Sequence, residues 1–351
     1  MPARRVLMRA DGASFIGLGH VMRSLSLARE LRLRGWEVGF ATRAYEEESL
    51  ARIRATGFDA DPIEPESSEE ADLSETLRSA ERFGANTIVT DGYAFDTAFL
   101  LGLRAAGLLV ASIDDIAAFH FPSDVLINQN INAPKLSYDT APYTRRLFGP
   151  TYAMLRPEFR ALRAEAVSRP MGDPPDLLIT FGGADMSRQT EKALQAIALL
   201  RQPVRVTVLV GDACRHREEI EAAAARMTCS TEVLVNPPEV ERILAAADLV
   251  VSAAGTTTWE LCCLGRPMVL MAVADNQRGI AGGMGKAGAA VDLGWFEDVT
   301  AGAIAAALER LLGEGRRRED IARKAAKLVD GLGAARVAAA IDDALSREQR
   351  A

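Results

Sequence analysis

Histidine, cysteine and tryptophan are scarce in this chain, with three, four and three among 351 residues. Four cysteines, two of them adjacent (Cys262 and Cys263), with Cys214 and Cys229 far apart, have no zinc-ligand spacing and no disulfide framework. No His, Asp and Glu cluster has metal-ligand spacing either, so neither a metal nor another cofactor is expected. Positive charge is also in deficit: 41 Lys and Arg against 48 Asp and Glu leave a net charge of −7. That balance opposes a nucleic-acid binder, which needs a basic surplus to displace counterions. No apolar run approaches the roughly 18–20 residues that cross a bilayer, and the N-terminal "MPARRVLMRADG" is too short in apolar residues for a signal peptide. The expectation is a cytoplasmic protein without membrane insertion, monomeric rather than oligomeric. The glycine-rich stretches match neither G-x-x-x-x-G-K-[ST] nor G-x-G-x-x-G, which disfavours a P-loop ATPase and a dinucleotide-dependent oxidoreductase.

What is present is an alternation of short β-rich runs and longer helical patterns. "VLMR", "VGFAT", "TIVTD", "LLVASIDD" and "VLINQN" read as buried strands. Between the first two, Leu25, Leu27, Ala28, Leu31 and Leu33 make a helical face that Gly35 ends. Strands with little polar alternation, separated by helices, imply parallel sheets covered on both faces. The pattern pauses after Asn130 and resumes at "DLLITFGG", then runs through "VRVTVLVG", "TEVLVN", "LVVSAAG" and "PMVLMAVADN". The fold class expected is α/β, with two Rossmann-like domains facing across a cleft. The boundaries expected are 1–150 for the first domain, 151–175 for a linker, and 176–351 for the second with the C-terminal helices. "EPESSEEADLSE" (64–75) reads as an acidic, solvated loop.

Ligands of open α/β sheets bind beyond the carboxyl ends of the strands, and four stretches fall there. In "GLGH", Gly17 and Gly19 permit close backbone approach, and His20 stands at the positive end of a helix, which favours the neutral ring. A neutral imidazole there suits a general base, although a turn histidine fits the spacing equally. In "FGGADMS", Gly182 and Gly183 either bring backbone N–H groups to a ligand or make a tight turn. In "SAAGTTTWEL", Gly255, Thr256 and Thr257 open a helix whose N–H groups suit a pyrophosphate, with Glu260 one turn further in to accept from ribose hydroxyls. The alternative there is a threonine cap with a surface glutamate. In "ADNQ", Asp275, Asn276 and Gln277 offer polar groups to a sugar, or make an ordinary turn. Asp11 and Tyr93 join the candidate ligand contacts, with Asp91, Asp114, Asp115 and Asn128–Asn130 at neighbouring strand ends. Arg23 has no assigned role; His120 and His216 read as bystanders.

Taken in order, "RADGASFIGLGHVMRSLSLARELRLRG", "IDDIA", "LINQN", "FGPTYAMLRPEFR", "ITFGGAD", "SAAGTTTWELCCLGRP" and "ADNQ" resemble the UDP-2,4-diacetamido-2,4,6-trideoxy-β-L-altropyranose hydrolases of pseudaminic acid biosynthesis. These are similar to the GT-B glycosyltransferases that include the lipid-II-forming N-acetylglucosaminyltransferase. The resemblance runs from about Arg9 to Gln277. It departs at "AFHFPSD" (118–124), where many relatives carry a more charged Arg-Pro-His pattern. The resemblance implies metal-independent, inverting cleavage of the C1–O bond of a UDP-sugar. It implies His20 acting on the attacking water, Gly255, Thr256 and Thr257 on the pyrophosphate, Glu260 on the ribose, and Asn276 at the reacting sugar. The rival expectations are a glycosyltransferase with the same donor and a non-catalytic nucleotide-sugar sensor.

Overall fold

The computed structural model describes residues 4–12, 19–43, 47–64 and 68–348. The chain divides into two compact units, Met1–Leu155 with Leu332–Ala351, and Arg156–Gly331. Both are α/β units built on parallel sheets. Among the described residues no helix is long and apolar enough to cross a membrane.

The first unit runs β1 (Arg5–Ala10), α1 (Gly19–Leu33), β2 (Glu37–Arg43), α2 (Glu47–Ala55), β3 (Asp59–Ile63), α3 (Glu69–Phe83) and β4 (Thr87–Asp91). It continues through α4 (Thr97–Ala105), β5 (Leu109–Ile113), β6 (His120–Phe121), β7 (Val125–Asn128), β8 (Asp139–Thr140) and β9 (Arg145–Phe148). Its main sheet has the order β3-β2-β1-β4-β5-β7-β9. Successive side chains of a strand point to opposite faces, and both faces here are apolar. Val6, Met8, Val89, Leu109 and Ala111 pack with α1 and α2, while Leu7, Ile88, Leu108 and Val110 pack with Phe99, Leu100 and Leu103 of α4. That double burial is why the strands read as unbroken apolar runs.

The second unit runs α5 (Pro157–Ser168), β10 (Asp176–Thr180), α6 (Gln189–Ile197), β11 (Arg205–Val210), α7 (Arg217–Ala225), β12 (Thr231–Val235), α8 (Val240–Ala246) and β13 (Leu249–Ala253). It then forms α9 (Thr257–Cys263), β14 (Met268–Ala272), α10 (Asp275–Ala287), β15 (Val291–Trp295), α11 (Ala301–Gly313) and α12 (Gly315–Leu328). The sheet order is β12-β11-β10-β13-β14-β15. Leu177, Ile179, Val251 and Met271 face a core closed by α6 and by Ile304, Leu308 and Leu311 of α11. Cys262 and Cys263 are buried in α9 with Trp259, as packing residues.

Three expectations are corrected. The C-terminal helix α13 (Gly333–Glu348) belongs to the first unit, not the second, because Val337, Ile341 and Leu345 enter the core against α1. Trp36 Nε1 donates to Asp342 at 2.9 Å, and Arg4 pairs with the same carboxylate at 3.0 Å. The stretch 151–175 is no plain linker: the crossing falls at Leu155 and Arg156, and α5 packs on α8 and α9 of the second unit. Of the acidic stretch 64–75, residues 69–75 belong to helix α3, not to a solvated loop. Ser68 caps α3 by accepting from the Ala71 N–H, and the helix buries Asp72.

Candidate active site

Each sheet reverses its strand order once near its middle, between β1 and β4 in the first unit and between β10 and β13 in the second. Crevices at such reversals are where open α/β sheets take ligands. His20 follows β1 and Asp91 ends β4, so the first reversal brings them together.

His20 is the second residue of α1 and only 6% exposed. Its Nδ1 lies 2.6 Å from Asp91 Oδ1. Arg23, one turn further along α1 and also buried, donates from Nε to Asp91 Oδ2 at 2.8 Å and from Nη2 to Asp91 Oδ1 at 2.6 Å. Its Nη1 reaches both oxygens of Asp115 at 3.1 and 2.9 Å. Ser24 Oγ donates to Asp91, while Asn130 Nδ2 and the Tyr93 hydroxyl donate to Asp115. The Tyr93 ring stands edge-on to the imidazole, 4.8 Å between centroids, and is 46% exposed.

Burial alone would raise the Asp91 carboxyl; Arg23 and then His20 reverse that and hold it down at about 2. Burial likewise works against the Arg23 charge, but Asp115 and Asp91 outweigh it and raise its pKa. Asp91 is therefore an anion and accepts only, so Nδ1 of His20 carries the proton toward it. Arg23 Nη2 sits 3.0 Å from Nδ1 because both donate to one oxygen, Asp91 Oδ1. The result is an oriented imidazole whose Nε2 is left to accept a proton, the arrangement of a general base with its orienting carboxylate.

Asp11 is placed differently. Its carboxylate accepts from the guanidinium of fully buried Arg9 and from the Arg43 N–H at 2.8 Å. Arg9 also grips Asp72 of α3 with three bonds, two of 3.0 Å and one of 3.3 Å, and Arg43 adds a fourth at 2.9 Å. Asp11 is thus one strut of a buried ion network that fastens α3 to β1. Gly19 opens α1 directly before His20, whereas Gly17 lies outside the described residues.

In the second unit the glycines after β10 serve the chain's own backbone. Gly182 takes the left-handed conformation at φ +81°, and Gly183 accepts from the Gly211 N–H at 2.8 Å. A Cβ on Gly211 would come within 2.8 Å of the Gly183 backbone, so the loops after β10 and β11 cross without side chains. Asp185 caps α6 by accepting from the Gln189 and Thr190 N–H groups, both at 2.9 Å, and His216 lies 3.4 Å from it.

Gly255 and Thr256 link β13 to α9, with Thr257 the first helical residue. Thr256 makes no capping hydrogen bond with its side chain and is exposed, so a threonine cap does not explain it. The adjacent strand β14 leads to Asp275, Asn276 and Gln277 on the first turn of α10. Gln277 Oε1 accepts from the Val273 N–H at 3.1 Å, and its Nε2 lies 3.7 Å from where a Cβ on Gly255 would stand, so the two stretches meet. Asp275 is exposed and pairs with Arg278 at 3.0 Å; Asn276 is exposed beside it.

Glu260, half-buried in α9, has its carboxyl pushed up to about 7, chiefly by burial, with Glu241 adding to the rise and Arg156 opposing it. The Arg156 charge is shared, since Arg156 Nη2 bonds Glu241 at 2.9 Å. The folded state thus holds a proton on Glu260 that the unfolded chain, with its ordinary value of 4.5, has released by neutral pH. Stability is expected to fall as pH rises from about 4.5 through 7. A Glu260→Gln variant escapes that fall, so the gap between its melting temperature and that of the parent should widen from pH 5 to 8. Parallel melting curves across that range would show an unstrained carboxyl.

His20, Tyr93, Asp91 and Asp115 thus converge in the first unit, and Gly255, Thr256, Thr257, Gln277 and their neighbours in the second. Sequence reasoning passed over Arg23, although its spacing of three residues from His20 on one helix puts both on the same face.

No protein-family model matches the chain. An uncharacterised protein of Methanocaldococcus jannaschii is 24% identical over 282 residues, 78% of this chain and 57% of that one, so the chain spans little more than half of that relative's length. The UDP-2,4-diacetamido-2,4,6-trideoxy-β-L-altropyranose hydrolase of Campylobacter jejuni is 28% identical over 184 residues, covering 52% of this chain and 61% of the hydrolase. The UDP-N-acetylglucosamine–N-acetylmuramyl-(pentapeptide) pyrophosphoryl-undecaprenol N-acetylglucosamine transferase of Sorangium cellulosum is 30% identical over 279 residues, 76% of this chain and 67% of that one. Among solved structures, MurG of Acinetobacter baumannii superposes with a TM-score of 0.74 at 17% identity, covering 97% of this chain and all of that one. With that fold, two parallel sheets carrying polar clusters at their strand reversals, and the Sorangium relative, the chain belongs to the GT-B family.

Proposed function

We propose that this chain hydrolyses the C1–O bond of a UDP-2,4-diacetamido-2,4,6-trideoxyhexose, releasing UDP and the free sugar with inversion. The observation that carries the reading is the 2.6 Å contact between His20 Nδ1 and Asp91. It leaves Nε2 to take a proton from water as the water oxygen attacks C1 and the C1–O bond breaks. The electron pair of that bond departs with UDP. Attack from the face opposite the leaving group inverts the anomeric centre. Gly255, Thr256 and Thr257 would meet the diphosphate, where unpaired N–H groups at a helix start counter the developing charge without a metal. Glu260 would accept from the ribose, and Asp275, Asn276 and Gln277 would contact the substrate. The diacetamido sugar is supported by the shared motifs and by the Campylobacter relative. It gives the enzyme a cytoplasmic place in nonulosonate synthesis for surface or flagellar glycosylation.

A second reading, a glycosyltransferase, is favoured by the Sorangium relative and by the fold. The same base would then deprotonate an acceptor hydroxyl. Proton NMR of the protein with the UDP-diacetamido sugar and no acceptor separates the two. Hydrolysis predicts prompt UDP release and a free sugar of inverted anomeric configuration. UDP release that waits for an added sugar or lipid acceptor would establish transfer instead, and an intact sugar nucleotide under both conditions would end both readings.

A further inference from the structure

The cluster around His20 contains more carboxylate than one base requires. Asp91 and Asp115 approach from the ends of β4 and β5, and a single guanidinium lies between them. The charged and titratable groups facing the imidazole, among the described residues, are Asp91 of β4, Arg23 of its own helix, Tyr93 beyond β4, and Asp115 behind Arg23. With a neutral ring the cluster therefore carries one net negative charge. With a protonated ring it is balanced.

We propose that Arg23 is the positioning residue of the base: it clamps Asp91 against Nδ1 of His20 and, bridging Asp91 to Asp115, leaves the cluster one positive charge short until His20 takes a proton. The inference rests on the reading of His20 as base. Four hydrogen bonds from one buried fork fix both carboxylates, which lysine, a point charge without a fork, does not reproduce. Nη2 places a positive charge 3.0 Å from the ring, and Asp115 a negative one behind it. Arg23 and Asp115 therefore set the acidity of the base in opposite senses without touching substrate.

The test is an NMR titration of ¹³C-labelled histidine in the full chain, with His20 assigned by its loss in His20→Asn. Arg23→Met removes the cation, and the His20 midpoint is expected to rise by about one unit or more, as for a charge change within ~4–6 Å. Asp115→Asn removes an anion, and the midpoint is expected to fall. Arg23→Lys keeps the charge, so the midpoint stays near that of the parent while kcat drops for want of the fork. The acid limb of the kcat profile should move with the midpoint in each variant. If Arg23→Met does not fold, Asp115→Asn decides alone. Midpoints that stay with the parent in Asp115→Asn and in a folded Arg23→Met would overturn the proposal and leave Arg23 a merely structural ion. A parent that turns over no UDP-sugar would defeat the functional reading, while the NMR midpoints would still judge Arg23.

Discussion

His20→Ala is expected to lower kcat by about 10²–10⁴-fold, the usual worth of a positioned base, while UDP binding stays near that of the parent. The split follows from where the parts sit. His20, Asp91 and Arg23 belong to the first unit, and the glycine-threonine helix start belongs to the second. Removing an imidazole from one therefore leaves the proposed nucleotide contacts of the other in place. Asp91→Asn should also lose turnover, and stability with it. An amide can present its N–H to Nδ1, which selects the wrong tautomer, and Arg23 loses its shorter ionic partner. Steady-state kinetics with the UDP-sugar, beside calorimetry with UDP, measures both quantities. Near-parental turnover of His20→Ala with UDP binding intact would remove the imidazole from the mechanism.

A chain ended at Asp330 is expected to leave the first unit without a cooperative fold. Such a chain lacks α13, and with it Val337, Ile341 and Leu345, each fully or almost fully buried. Burying side chains of this size stabilises by about 1.5–3 kcal/mol each, a large share of the roughly 5–15 kcal/mol that a whole protein has. Hydrogen exchange should show protection lost across β1, α1, β5 and β7 but kept in α6 and α11, which pack in the other core. Ile341→Ala gives the graded form of the experiment, with an expected loss of about 2–5 kcal/mol. Protection lost in α6 and α11 instead would assign the helix to the second unit.

The sheets were legible because their strands are buried on both faces: Val6, Leu7 and Met8 are all inside, so the run stands out whatever the partner. Helix α13 was not assignable in the same way. Its apolar stripe says that it must cover something, but its partners Trp36 and Arg4 lie more than three hundred residues away in sequence. Helix α3 was hidden by its surface. Seven acidic and serine positions dominate the stretch, while Leu73, Leu77 and Ala80 carry its packing from later turns. At the candidate site, His20 was conspicuous by its glycines. Arg23 was silent, because an arginine on a helix acquires meaning only when strands 68 and 92 residues away supply the carboxylates.

The docking of α13 also dictates an order of events during synthesis. Translation delivers β1 through β9 first, but the helix that completes their core is made only after all of Arg156–Gly331. Domains ordinarily fold in the order in which they leave the ribosome. In this chain the second unit is complete first, and the earlier unit waits with the part of its core that α13 covers, beside α1, β5 and β7, left open. The nascent chain therefore leaves open the apolar surface that later receives Val337, Ile341 and Leu345 for the whole time that the ribosome spends on the inserted unit, which makes that interval the period when a holdase chaperone has most to bind.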